Sequence, residues 1–269
     1  MKHLPNLLTL GNLFCGCIAI AYILMARPYT SMAIPEHGGF PTWQWVQGAE
    51  QMYLGSIFIG IAAVCDLLDG LAARALKIFS PIGKDLDSLA DVVSFGVAPS
   101  VILFKFLWDA QMGEKNAFDV SMLAMAPAFL LACFAALRLA KFNITSETQK
   151  TYFIGMPTPA VGLFVASFPL VQWFCPANIA HFFTPFFQNK WALYLIIAIL
   201  CWLMVSGVQF IKLMPARWRV ASMWPQLVLV VLSAIAIPFL SFAVIPFAFI
   251  LYVVLSFIYR QPETIENDN

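Results

Sequence analysis

Four aspartates carry most of the chemistry that this sequence offers. Asp66-x-x-Asp69-Gly70-x-x-Ala73-Arg74 is followed, after eight residues, by Gly83-x-x-x-Asp87-x-x-x-Asp91. On a helix, Asp66, Asp69, Gly70, Ala73 and Arg74 share one face, at i, i+3, i+4, i+7 and i+8. Gly83, Asp87 and Asp91 share one face of the next helix in the same way. Between them, Phe79-Ser80-Pro81-Ile82-Gly83 reads as a reversal. Reflection about residue 80 sets Asp69 opposite Asp91 and Asp87 opposite Ala73, so the acidic faces meet at one depth. Four carboxylates aimed at one spot cannot all stay ionised without positive charge between them. Hard oxygen ligands in this number suit Mg²⁺, Mn²⁺ or Ca²⁺ rather than zinc. Two such ions sharing carboxylates clamp the attacking and leaving oxygens of an in-line phosphoryl displacement. Gly70 and Ala73 leave room beside the acids for a diphosphate or a close helix, although glycine in a helix costs about 1 kcal/mol relative to alanine. Arg74 can fork onto phosphate oxygens. Asp85 points off the acidic face and reads as a solvated cap. The residues alone thus point to a metal-dependent enzyme acting on a phosphate ester at a membrane surface.

The elements that must position these acids read as membrane helices. Of 269 residues, 61% are hydrophobic and 11% charged, with a mean hydropathy of +0.83; a soluble domain carries about 25% charged residues. Acids at membrane depth are costly and mark function. Hydropathy predicts eight spans, at 6–26, 51–70, 88–108, 121–140, 158–175, 191–211, 221–238 and 240–258. Pro225, Pro238 and Pro246 make the last two short, either separate spans or one kinked or re-entrant pair. The expected fold is an all-α polytopic bundle, one domain over 1–260 with a polar tail over 261–269. With the N-terminus inside, eleven Lys and Arg lie on the cytoplasmic side and four outside, a positive-inside bias. Both termini and the acidic hairpin then face the cytoplasm. The start, Met1-Lys-His-Leu-Pro5-Asn6, shows no small-residue cleavage site, so no cleavable signal peptide is expected. The longest outer loop, 27–50, holds Trp43 and Trp45 as interfacial anchors.

Other features are quieter. A net charge of +1 supplies no bulk attraction to nucleic acid. Six cysteines without a CxxC read as small core hydrophobes. His3, His37 and His181 show no partner spacing. A cation-coupled transporter would also need intramembrane carboxylates, but it usually shows inverted repeats and broken helices. Here the acids sit in one hairpin near one surface, and the sequence has no visible repeat.

The pattern D-x-x-D-G-x-x-A-R-x8-G-x3-D-x3-D, matched at every fixed position from Asp66 to Asp91, resembles the signature of the CDP-alcohol phosphatidyltransferases. The resemblance implies a homodimeric helical membrane enzyme with a six-helix core, to which the C-terminal pair is added here. Such an enzyme binds CDP-diacylglycerol, uses two divalent cations (Mg²⁺ or Mn²⁺), passes the phosphatidyl group to an alcohol and releases CMP. It assigns the metals to Asp66, Asp69, Asp87 and Asp91, with Asp91 also as general base. It assigns the CDP-lipid to Asn6, Thr9, Asp66, Gly70, Ala73, Arg74 and Gly83.

Three further stretches resemble the serine-using bacterial and archaeal branch of that family. They are Pro5-Asn6-Leu-Leu-Thr9-Leu-Gly-Asn12-Leu-Phe-Cys-Gly16, then Asp87-Ser88-Leu-Ala-Asp91-Val-Val-Ser94-Phe95-Gly96-Val-Ala-Pro99, then Leu137-Arg138-Leu-Ala-Lys141-Phe142-Asn143 with Gly155-Met-Pro157-Thr-Pro159. The branch has Arg where this chain has Lys141, which keeps the charge and loses the bidentate fork. L-serine as acceptor would fall to Ser94, Arg138 and Asn143. The residues themselves leave alternatives. Asn6 and Thr9 also suit a helix start, Ser94 and Gly96 a helix–helix contact, and Arg138 the positive-inside bias. Arg138, Lys141 and Lys150 could equally receive a phosphorylated acceptor such as glycerol 3-phosphate or inositol phosphate. Gly155-x-Pro157 reads as structural.

Overall fold

The computed structural model describes residues 4–26, 28–33, 42–47, 51–76, 81–112, 121–145, 153–211 and 224–258. The first helix, α1 (Leu4–Met25), is 22 residues long, about 33 Å at 1.5 Å per residue. Its buried residues are Pro5, Thr9, Asn12, Gly16, Ala19 and Ile23, a single stripe at alternating steps of four and three. Leu7, Leu10, Phe14 and Leu24 project outward. A helix apolar on both faces belongs in a bilayer or a deep core.

A hairpin of β1 (Pro28–Ala33) and β2 (Thr42–Gln47) follows, antiparallel with Thr30 opposite Trp45 and Met32 opposite Trp43. The loop after α1 therefore contains regular backbone structure that its composition did not announce. The side chains of Trp43 and Trp45 lie outside what is described, as do Phe79 and Ser80 of the reversal.

Next come α2 (Met52–Leu76) and α3 (Pro81–Asp91). A π-helical turn, Val92–Val97, joins α3 to α4 (Ala98–Met112), with the Ala98 N–H bonded to the Val93 carbonyl. Pro99 explains the widening, because it lacks an N–H and its ring would crowd the carbonyl four residues back. The turn begins directly after Asp91.

Two 3₁₀ turns, Met122–Ala124 and Ala126–Phe129, lead into α5 (Leu130–Thr145). A short clip of β3 (Phe153–Ile154) with β4 (Gln209–Phe210) ties the start of α6 (Thr158–Phe174) to the end of α8 (Lys190–Val205). Gly155 makes the clip possible. Its φ is +78°, and a Cβ there would overlap the Met204 carbonyl oxygen. Between α6 and α8, α7 (Ala177–Gln188) is bent 85° from α8.

The chain ends in α9 (Trp224–Leu240) and α10 (Val244–Ile258). Ser241, with φ of 49°, marks the break between them, and α10 packs on α6. The Cys175 thiol donates to the Leu240 carbonyl at 3.5 Å, placing that break beside the end of α6.

Helices occupy all eight stretches read as spans. By length and apolarity alone, five described helices can cross a membrane, or six if α7 and α8 count as one. That count falls below eight because α6 has 17 residues and Trp224–Ile258 is taken as one run of 35. The build is that of an all-α, multi-pass membrane protein. All six cysteines are free, but only Cys201 is buried, and Cys17 and Cys133 face outward. Outward in this chain is an apolar direction, so a thiol there has the same kind of surroundings as one inside.

Candidate active site at the acidic hairpin

Asp66 and Asp69 come from the last three turns of α2, Asp87 and Asp91 from α3, and α1 lies across both. One carboxylate oxygen from each of Asp66, Asp69 and Asp87 lies within 4.8 Å of the others. Asp91 stands outside this trio. The acidic faces of α2 and α3 thus turn toward one another, with Asp87 reaching both Asp66 and Asp69. Facing residues on crossed helices depend on crossing angle and rotation as well as distance from the turn.

Each acid is held differently. Asp69 is buried, and its Oδ2 lies 2.7 Å from Thr9 Oγ1. That hydroxyl has a second acceptor, the Pro5 carbonyl at 3.0 Å, and only one proton to give. Asp91 is buried and accepts from Asn12 Nδ2 at 3.2 Å. Asp87 Oδ1 is buried without a hydrogen-bond partner. A bare carboxylate oxygen facing two more carboxylates fits a cation between them, and its all-oxygen donor set suits a hard divalent ion. The trio could therefore hold a metal.

The α1 helix is pressed against this corner. A Cβ on Gly16 would overlap Ser94 Oγ and lie 2.9 Å from Ser94 Cα, so α1 and the π turn meet nearly backbone to backbone. Ser94 Oγ donates to the Asn12 carbonyl at 3.0 Å. The Ser94 hydroxyl proton is thus engaged in a helix contact.

Arg138, buried on α5, lies within electrostatic reach of Asp91. Its Nη1 donates to Thr158 Oγ1 at 3.1 Å, its guanidinium sits 5.3 Å over the Phe142 ring, and its Nε is buried without an acceptor. A small open pocket is lined by Arg138, Lys141, Phe142 and Met204–Ser206 among others. The Met204–Ser206 wall comes from beyond residue 160, where the sequence carried no diagnostic motif. The Gly155 clip holds it in place.

The family this geometry belongs to is decided by comparison. The CDP-alcohol phosphatidyltransferase family model matches residues 2–231. The chain belongs to this family. Among similar proteins is the CDP-diacylglycerol–serine O-phosphatidyltransferase of Helicobacter pylori strain J99, 30% identical over 268 residues, covering 98% of this chain and 95% of that one. The protein of the same name from Bacillus subtilis is 30% identical over 163 residues, 61% of this chain and 73% of that one. The one from Saccharomyces cerevisiae is 36% identical over 165 residues, 58% of this chain and 50% of that one.

With the family established, the remaining expected residues can be placed. Asn6 is half-buried one turn before Thr9. Gly70, Ala73 and Gly83 are half-buried on the acidic helices, and Arg74 is exposed, with Nε 3.0 Å from the Gly70 carbonyl. Asn143 Nδ2 donates to Ser88 Oγ at 2.7 Å, and Lys84 Nζ donates to the Asn143 carbonyl at 2.9 Å. Asn143 thus links α5 to α3, the helix that carries Asp87 and Asp91. Two residues were missed as participants. Thr158 is the partner of Arg138. Asn12 lies three residues after Thr9 on the same stripe, and that spacing was the available signal.

Proposed function

We propose that this chain transfers the phosphatidyl group of CDP-diacylglycerol to the hydroxyl of L-serine, giving phosphatidylserine and CMP. The observation that carries the reading is the three-aspartate cluster, in a fold that also buries Arg138 at the edge of a pocket. The cluster suits the metal-bound diphosphate of the donor, and Arg138 an acceptor with a carboxylate. The names of the relatives point to the same reaction.

Asp66, Asp69 and Asp87, with Asp91 completing the set, would hold two divalent cations, Mg²⁺ or Mn²⁺. Bound there, the metals supply charge neutralisation on the diphosphate and on the departing CMP. Thr9 orients Asp69, and Asn6, Thr9, Gly70, Ala73, Arg74 and Gly83 form the wall for the CDP-lipid. Arg138 holds the serine carboxylate, and Ser94 and Asn143 fix the helices around it. Asp91 stands apart from the trio and takes the serine hydroxyl proton as that oxygen attacks the phosphorus bearing diacylglycerol. The bond from that phosphorus to the CMP oxygen breaks.

We also read the chain as a homodimer with eight spans, both termini and the site facing the cytoplasm, in the cytoplasmic membrane. The eleven-to-four distribution of Lys and Arg supports the orientation, and the family resemblance alone supports the dimer. The test is an assay of purified protein in detergent with CDP-diacylglycerol, Mn²⁺ and either L-serine, glycerol 3-phosphate or inositol phosphate. The expected result is phosphatidylserine with CMP release from serine alone. Product from a phosphorylated acceptor, and none from serine, overturns the reading.

A further inference from the structure

Two polar atoms, Asn12 Oδ1 and Arg138 Nε, are buried without a partner, and they are opposite in kind. Asn12 is fully buried on α1, its Nδ2 donates to Asp91 Oδ1, and its Oδ1 accepts nothing. The Nδ2 end of the amide faces Asp91, which leaves Oδ1 turned away from that carboxylate. Arg138, within electrostatic reach of the same aspartate, has Nε buried without an acceptor. The site region thus carries an unmet acceptor on α1 and an unmet donor on α5, the helix packed along the π turn that follows Asp91. Buried polar groups are nearly always hydrogen-bonded, and an exception calls for an explanation, a catalytic role among them. A group with an ammonium at one end and a carboxylate at the other would satisfy both atoms. It would also bring the hydroxyl of such an amino acid to Asp91.

We propose that Asn12 determines acceptor specificity, its Oδ1 accepting a hydrogen bond from the ammonium of a zwitterionic acceptor whose carboxylate meets Arg138. This rests on the reading of the chain as a serine-using transferase and adds a role for a residue on α1. Asn12 then has two functions in one amide, since Nδ2 orients Asp91 and Oδ1 selects the acceptor. A site built to hydrogen-bond a group rejects analogues lacking it, because its own buried atom is left unpaired. Neutral Asn suits this position better than Asp, which would add a further charge beside the acids.

The experiment is competition against labelled serine by L-alanine, a zwitterion without the hydroxyl, and by propionate, which also lacks the ammonium. It is run on the wild type, Asn12→Ala and Asn12→Ser. In the wild type, alanine should inhibit at least tenfold better than propionate. In both variants that ratio should fall to within about threefold, with serine KM raised. Asn12→Ser should keep more turnover, because its hydroxyl can still donate to Asp91. A ratio that survives in either variant overturns the proposal and leaves Asn12 as a positioning residue for Asp91. Should the variants not fold, equal inhibition by alanine and propionate in the wild type overturns it, and a tenfold difference supports it. Wild-type protein that makes no phosphatidylserine sinks the parent reading instead.

Discussion

Where α1 meets α2 and the π turn, backbones approach through glycine. Gly16 abuts Ser94, and a Cβ on Gly55 would lie 2.5 Å from Ile23 Cγ1 and 2.9 Å from the Ala19 carbonyl. Where α6 meets α7 and α10, contact runs through rings. Phe168 packs on Phe187 at 5.1 Å, Phe164 stacks on Phe249 at 4.3 Å, and Phe174 meets Phe242 at 5.3 Å. Backbone contact leaves few soft degrees of freedom, so the position of α1 fixes Thr9 and Asn12 against Asp69 and Asp91. Ring contact can readjust through χ angles. The acid-bearing half is thus held for geometry and the C-terminal half for filling. Substitutions should separate the two halves by size of effect.

The largest effect should come from the acid trio. Chelation should abolish CMP release, and Mg²⁺ or Mn²⁺ should restore it. Asp66→Asn should lower turnover by about 10³-fold, the scale of losing one element of transition-state charge stabilisation. Metal binding followed by Mn²⁺ electron paramagnetic resonance should weaken in parallel. Activity indifferent to chelator would erase the distinction between the halves. Asp91→Asn comes next. A general base contributes roughly 10²- to 10⁴-fold, so turnover should fall in that range while CDP-lipid binding persists. Turnover retained within about tenfold would remove Asp91 from the role of base.

Thr9→Val tests whether α1 matters to the acids themselves. A hydrogen bond to a charged group contributes about 1.5–3 kcal/mol, and the partner here is buried. Turnover should fall about tenfold or more, with a raised Mn²⁺ requirement and little change in serine KM. If only thermal stability moves, α1 is packing and the contrast between the halves loses its mechanistic content.

Much of the first half could be read from the sequence, because its chemistry is written at helical spacing. Asp66 and Asp69, then Asp87 and Asp91, declare one face each. The residues that hold those faces in register did not declare themselves. Asn12 and Ser94 sit far apart in the chain and meet only because Gly16 lets two backbones touch. The Arg138 pocket joins α5 to the end of α8, a contact that no local pattern encodes. The π turn over Val92–Val97 follows from Pro99, yet proline more often ends or kinks a helix, so the sequence alone did not announce it. In the second half, apolar composition located the helices. It could not say whether the last two form one run or fold back, because the break falls at Ser241, an unremarkable residue in an apolar stretch.

The smallest expected effect sharpens the contrast from the other side. Phe249 on α10 stacks on Phe164 of α6, with the rings 25° apart, and both are half-buried. An aromatic pair contributes about 0.5–1.5 kcal/mol beyond its buried area. Phe249→Leu keeps an apolar group of useful size, and unbranched or γ-branched chains repack at modest cost. The midpoint of thermal unfolding in detergent should drop by a few degrees, on the scale of about 1 kcal/mol in a chain this long, while turnover with serine stays within about twofold. A loss of turnover approaching that of Thr9→Val would mean that α10 transmits position to the site. The path would run through the Tyr252 hydroxyl, which donates to the Ile211 carbonyl at 2.8 Å. Ile211 directly follows β4, whose partner β3 is the clip that seats the pocket wall. Phe249→Leu and Tyr252→Phe measured together decide the matter, since a transmitted effect makes the pair less than additive and independent filling makes it additive.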